Sequence, residues 1–271
     1  MSNPVMIMAA PNGARKTKDD HPALPVDIAQ TVAEARACYE QGACALHAHV
    51  RDSDLKHTLD AGLYRELLKE LQHQVPKMLI QITTEAVGIY TPGQQAECVK
   101  ALQPEMCSVA IREMAGEDKS LSHAQGFYHW CQENRVHVQH ILFDQNDLMR
   151  FFNLREQGVI PAEHNCVLYV LGRYTANLQS TPADIQPFIE TMKDEPLTWF
   201  VCAFGHQEQD CMLASVNAGG HARIGFENNL YAADGNVAES TASQIANMVQ
   251  RLTESGRVAA TADQARKLLN I

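Results

Sequence analysis

The stretch from Asp27 to Val50, "DIAQTVAEARACYEQGACALHAHV", contains both halves of one structural unit. Its first half puts Ile28, Val32, Ala35 and Tyr39 on one stripe at the helical period and stops at Gly42, a residue suited to a helix C-terminus. Its second half, "CALHAHV" (44–50), is an apolar run of strand length. A helix leading into a short apolar strand is the repeating unit of an α/β protein.

The same alternation extends in both directions. "VMIMAA" (5–10) precedes the stretch; "MLIQIT" (78–83), "MCSVAI" (106–111), "VHVQHILF" (136–143), "CVLYVL" (166–171), "LTWFVCAF" (197–204) and "HARIGF" (221–226) follow it. Helical patterns separate them, and "TASQIANMVQRLTESG" and "TADQARKLL" close the chain, the latter with a Thr N-cap and an Asp in its first turn. Eight strands alternating with helices predict a (β/α)8 TIM barrel over residues 1–271, read as a single domain because no linker or low-complexity tract interrupts it. An open doubly wound sheet is the competitor, but no Gly-rich phosphate loop follows the first strand.

Composition narrows the partners. The 271 residues carry a formal net charge of -10, which argues against general nucleic-acid or anionic-membrane binding. No run of 18 apolar residues is present, and the N-terminus lacks a basic start and a long apolar region, so neither a membrane span nor a signal peptide is expected. The eight cysteines are scattered without a CxxC pair and several lie in strand-like runs; they read as small core residues of a cytoplasmic protein.

The chemistry concentrates at strand ends, where barrel enzymes carry their catalytic residues. His47 and His49 share one face of the second strand, since residues two apart point the same way. Burying two imidazoles side by side is costly unless each finds a partner, and one metal ion satisfies both. In "GGHARIGFEN" (219–228), Arg223, Gly225 and Glu227 alternate, bringing a carboxylate to the end of the eighth strand, one strand removed from the second in a closed barrel. Two histidines and a carboxylate suit a catalytic zinc or related divalent metal; an HxH pair taken alone is more often two separately hydrogen-bonded residues, and the partner Glu and the barrel position are what favour the metal. Arg15, Lys16 and Lys18 give the loop after the first strand local positive charge, and Arg15, nearest the strand, is expected to reach inward. Thr83, Thr84 and Ser108 offer hydroxyls to a substrate carboxylate. His221 is expected to be structural and His140 is left open; His57, His73, His123 and His129 fall in loop or helix patterns expected at the surface.

"GACALHAHVRDSD", "GGHARIGFEN", "PEM" on the fourth strand and "HPALPVD" after the first together resemble the β-keto acid cleavage enzymes, over essentially the whole chain. The resemblance implies a zinc-dependent barrel, usually a homo-oligomer, that converts a β-keto acid and acetyl-CoA into acetoacetate and a new acyl-CoA. It implies metal ligation by His47, His49 and Glu227, a catalytic Arg223, and a substrate carboxylate held near Thr83 and Ser108. Three positions depart from the family pattern. Asn228 stands where an acid is common, and an amide is no base near neutral pH, so Glu85 and Asp144 become the candidate bases. Ile141 and Arg15 stand where the amine-substrate member carries acids, which favours a substrate with an anionic or polar tail.

Two other readings remain at this level. A metal hydrolase of the amidohydrolase type would want its HxH on the first strand and a Lys on a middle strand, whereas only His140 and His206 fit its further ligands. A non-catalytic barrel that binds metal or a CoA ester is the other, prompted by Asn228. No phosphate-cradling motif marks a CoA site, and His206 is the candidate contact.

Overall fold

Eight parallel strands close into a barrel. The structure, a computed structural model, describes residues 4–116 and 121–271. The barrel strands are β1 (Ile7–Ala9), β2 (Ala45–Ala48), β5 (Leu79–Thr83), β6 (Met106–Ala110), β7 (His137–Leu142), β8 (Cys166–Leu171), β9 (Thr198–Ala203) and β10 (His221–Ile224), and β10 closes against β1. They are the eight strands expected from the sequence, in the expected order. Two further strands, β3 (Val50–Arg51) and β4 (His57–Thr58), pair antiparallel in a hairpin directly after β2. The Asp52 carboxylate accepts from the backbone N–H groups of Asp54 and Lys56 and turns this hairpin.

Local chemistry sets the helix limits. Asp27, Asp60, Asp144 and Thr261 each accept a backbone N–H at a helix N-terminus, and Thr91 with Gln94 completes a capping box. The helices pack on the outside of the strands through Ala35, Leu67, Phe127, Phe151 and Ile245, all buried.

Inside the barrel the filling changes along the axis. Met6, Met8, Leu79, Met106, Leu168 and Phe200 fill the lower part. Higher up, at the C-terminal ends of the strands, the buried inward side chains are polar: His47, Gln81, Thr83, Ser108, Gln139 and Arg223. The expected eighth strand is shorter than the run 221–226 because the chain leaves the sheet at Gly225 (φ 153°). A Cβ there would lie 2.2 Å from the Ala10 carbonyl oxygen, so only glycine lets the chain turn against β1. All eight cysteines are unpaired and buried, and among the described residues no helix is long and apolar enough to cross a membrane.

Candidate active site

Three ligand-type side chains converge above the barrel. His47 and His49 project from the end of β2, and Glu227 from the turn after β10; all three offer a ligand atom within 4.8 Å of the others. The Nε2 atoms of the two histidines are 3.1 Å apart. Glu227 Oε2 is 3.4 Å from His47 Nε2, and Oε1 is 3.8 Å from His49 Nε2.

Hydrogen bonds on the far side of each ring fix where the lone pairs point. His47 Nδ1 is 2.7 Å from Gln81 Oε1, a carbonyl-type acceptor, so Nδ1 carries the proton and Nε2 is bare. His49 Nδ1 meets His57 Nδ1 at 3.3 Å. Burial holds both His47 and His49 neutral, His47 at about 4 and His49 well below its usual value. Burial alone would raise Glu227, but Arg223, 3.3 Å away, acting together with Lys16 and the neighbouring imidazoles, outweighs it and keeps the carboxylate ionised. Two imidazole lone pairs and a carboxylate thus face one small volume, and Glu227 Oε2 has no hydrogen-bond partner. Such an arrangement is repulsive on its own and is relieved by a cation, so the donor set fits a divalent metal.

His47 and Glu227 line a cavity of about 260 Å³ at the C-terminal end of the barrel. In a chain of net charge -10, five cationic side chains (Arg15, Lys16, Arg112, Arg173, Arg223) line it against three carboxylates (Glu85, Glu113, Glu227). Arg223 is buried, donates to Glu227, and has Nε and Nη1 unpartnered beside the triad. Glu85 lines the wall; burial and the nearby Glu227 charge push its carboxyl up to about 7, against the pull of Arg15. Thr83 and Asn228 also line it, and the Asn228 Oδ1 is buried without a partner. Ser108, paired in register with Thr83, is buried with its hydroxyl unpartnered.

Other expected positions fall elsewhere. Asp144 caps the helix Gln145–Glu156 and pairs with Arg112, so its carboxylate is spent on structure outside the cavity wall. Thr84 is turned away, its hydroxyl donating to the Ser108 carbonyl oxygen. Arg15 stays at the rim, 59% exposed and 3.8 Å from Glu85. Lys16 is the residue that reaches inward, donating to the Glu227 carbonyl oxygen at 2.6 Å, which reverses the expected order of the two. His57 is buried rather than at the surface, because the hairpin folds it back over β2. His73 and His123 are exposed as expected, and His129 is half-buried against the Gly158 carbonyl. His221 accepts from Met6 N–H, a structural contact. His206 is exposed and stacks on Tyr231 at 3.8 Å.

Three supports had no recognised signal in the sequence. Glu208, fully buried, accepts from Gly225 N–H and from the Asn229 amide and so pins the turn that carries Glu227 and Asn228. Burial pushes its carboxyl up to about 8. Arg51 donates to the carbonyl oxygens of Gly13 (2.9 Å), Lys16 (2.7 Å) and Leu55 (3.0 Å), clamping the first loop to the hairpin. Gly13 passes so close over Glu227 that a Cβ would sit 2.6 Å from its Cγ.

Fold and site define a (β/α)8 barrel with a His–His–carboxylate group and a cation-lined cavity at the catalytic end. The beta-keto acid cleavage enzyme family matches residues 4–271, and the chain belongs to that family. It is 29% identical to the 3-keto-5-aminohexanoate cleavage enzyme of Fusobacterium nucleatum, over 100% of this chain and 99% of that protein. It is 24% identical to the 3-oxoadipate:acetyl-CoA acetyltransferase of Cupriavidus necator, over 100% of this chain and 96% of the relative. Among solved structures, a ternary complex of ObcA with C4-CoA adduct and oxalate matches with TM-score 0.74 at 13% identity, covering 92% of this chain and 68% of that one, a likeness of fold.

Proposed function

We propose that the protein is a metal-dependent β-keto acid cleavage enzyme, zinc being the metal its donor set suits best, which converts a β-keto acid and acetyl-CoA into acetoacetate and a new acyl-CoA. The observation that carries this reading is the convergence of the His47, His49 and Glu227 lone pairs at the edge of a cation-lined cavity. When bound, the metal supplies a Lewis acid that polarises the keto oxygen.

The chain's own groups divide the rest of the work. Arg223, which lies 3.3 Å from Glu227 and keeps two unpartnered nitrogens, stabilises negative charge as it develops on the substrate oxygen. Asn228 cannot take a proton, so its amide orients substrate, and Glu85, poised near 7, is the general base that removes the α-proton. The resulting carbanion displaces thiolate from acetyl-CoA; the thiolate then attacks the original keto carbon, and carbon–carbon cleavage gives the new thioester and the acetoacetate carbanion, which takes back the proton held by Glu85. Thr83 and the unpartnered Ser108 hydroxyl suit the substrate carboxylate.

The tail of the substrate meets Ile141 and Arg173 as well as Arg15, all of which line the cavity. Arg15 has Glu85 beside it, whereas the Arg173 guanidinium lies over the Tyr174 and Phe204 rings and suits a second carboxylate. The buried, unpaired thiols support work in a reducing cytoplasm, and the family resemblance supports a homo-oligomer.

The test incubates zinc-loaded protein with acetyl-CoA and a panel of β-keto acids bearing dicarboxylic, neutral and amine tails, and follows acetoacetate. Release with the dicarboxylic member preferred is expected. No release from any member, with metal bound and the fold intact, overturns the reading in favour of a binding role. Unchanged KM for the dicarboxylic substrate in both Arg15→Ala and Arg173→Ala removes the anionic tail.

A further inference from the structure

We propose that His57 is a positioning residue that sets the tautomer of His49 and so aims the His49 lone pair at Glu227. The proposal rests on the metal reading above for its purpose, but its geometry stands independently. His57 lies on β4, buried, its ring nearly perpendicular to that of Tyr90 (centroids 6.2 Å apart). Its Nε2 is 2.9 Å from the Glu85 backbone oxygen. A backbone carbonyl can only accept, so the proton of His57 sits on Nε2 and its Nδ1 is bare. That bare nitrogen faces His49 Nδ1 at 3.3 Å. His49 must then donate from Nδ1, which leaves its Nε2 unprotonated, 3.8 Å from Glu227 Oε1 and 3.1 Å from His47 Nε2.

A chain of single choices therefore runs from the Glu85 carbonyl through His57 to His49. Were His57 replaced by a side chain that cannot accept, His49 Nδ1 would lose its acceptor. The ring could then place its proton on Nε2, where it would occupy the point of convergence. His47 needs no such relay, because Gln81 accepts from it directly. The hairpin that Asp52 turns is thus more than a loop closure: it brings an acceptor over a ring that β2 alone leaves undirected. The same contact ties the backbone of Glu85 to the ligand set.

Long-range proton–nitrogen correlation spectra of the metal-free protein read the tautomers directly, with His49 assigned by its loss in His49→Asn. Wild type is expected to show His47 and His49 both protonated on Nδ1. In His57→Phe, His49 should shift wholly or partly to the Nε2–H form, and zinc affinity, measured by competition with a chelator, should fall about 10- to 100-fold. His57→Gln, whose carbonyl accepts and whose amide donates to Glu85, should restore both signals where a merely packing role would not. An Nε2–H His49 in wild type overturns the proposal, as does an unchanged tautomer and zinc affinity in His57→Phe. If the Phe variant fails to fold, the wild-type and Gln spectra decide. A wild type that binds no zinc yet shows the expected tautomers sustains the His57 assignment and removes the metal reading.

Discussion

Two groups of buried histidines sit a few strands apart and differ in everything but residue type. At the mouth of the barrel, each ring of His47, His49 and His57 has a hydrogen-bond partner, and the free lone pairs meet beside a carboxylate. On the outer face of β7, His140 packs against Tyr128, Phe151 and His164 with neither ring nitrogen partnered. Among the described residues only the first group forms a set that could hold a metal. Burial alone does not turn histidines into a site; direction does, and direction comes from what stands behind each ring.

The largest expected effect separates the two groups outright. Glu227→Ala or His49→Ala should weaken zinc binding by more than about 100-fold and abolish acetoacetate release, while His140→Phe should leave zinc stoichiometry unchanged. A His140 variant that loses metal would collapse the distinction. Next comes Glu85→Gln, read in the pH profile. A base acts deprotonated, so kcat/KM of the wild type should rise as pH increases through about 7. The variant should lose about 100- to 10,000-fold and that limb with it; a limb retained at the same pH would assign the proton transfer elsewhere.

The smallest effect belongs to the outer group. Burial holds His164 at about 4 and His140 well below its usual value. Between the ordinary histidine value of 6.5 and about 4, the unfolded chain therefore binds protons that the folded chain refuses. The stability tied to these rings is complete above pH 6.5 and is lost as pH falls through that window, by up to about 1.4 kcal/mol per pH unit for each ring. His140→Phe should flatten the fall, measured by urea unfolding from pH 8 to 5. An unaltered slope would show that this cluster is hydrated and free to titrate.

The difference between what the sequence disclosed and what it hid follows the same line. Strands such as Cys166–Leu171 were legible because burial on both faces writes an unbroken apolar run. The His47, His49 and Glu227 group was legible because alternation on a strand and closure of a barrel fix which ends meet. Arg15 and Lys16 were misordered because a loop beyond the last strand residue has no period from which inward and outward can be read. His57 was hidden for a related reason: strands of two residues carry no pattern, and "KHTLD" reads as a solvated loop until the hairpin pairs. Thr84 and Asp144 showed the right chemistry at strand ends, yet backbone and capping contacts claim them.

The Arg51 clamp gives the mouth of the barrel an asymmetry in what evolution can rewrite. One guanidinium ties the first loop to the hairpin through three carbonyls, so that side holds the geometry of Glu227 and His49 together. The opposite rim, Arg173 to Leu178, is joined to none of these atoms by that clamp. Descendants of this chain can therefore exchange residues on the Arg173 side and explore new substrate tails while inheriting an unaltered ligand set. Grafting that segment from a relative of different preference should move selectivity and leave zinc affinity where it was.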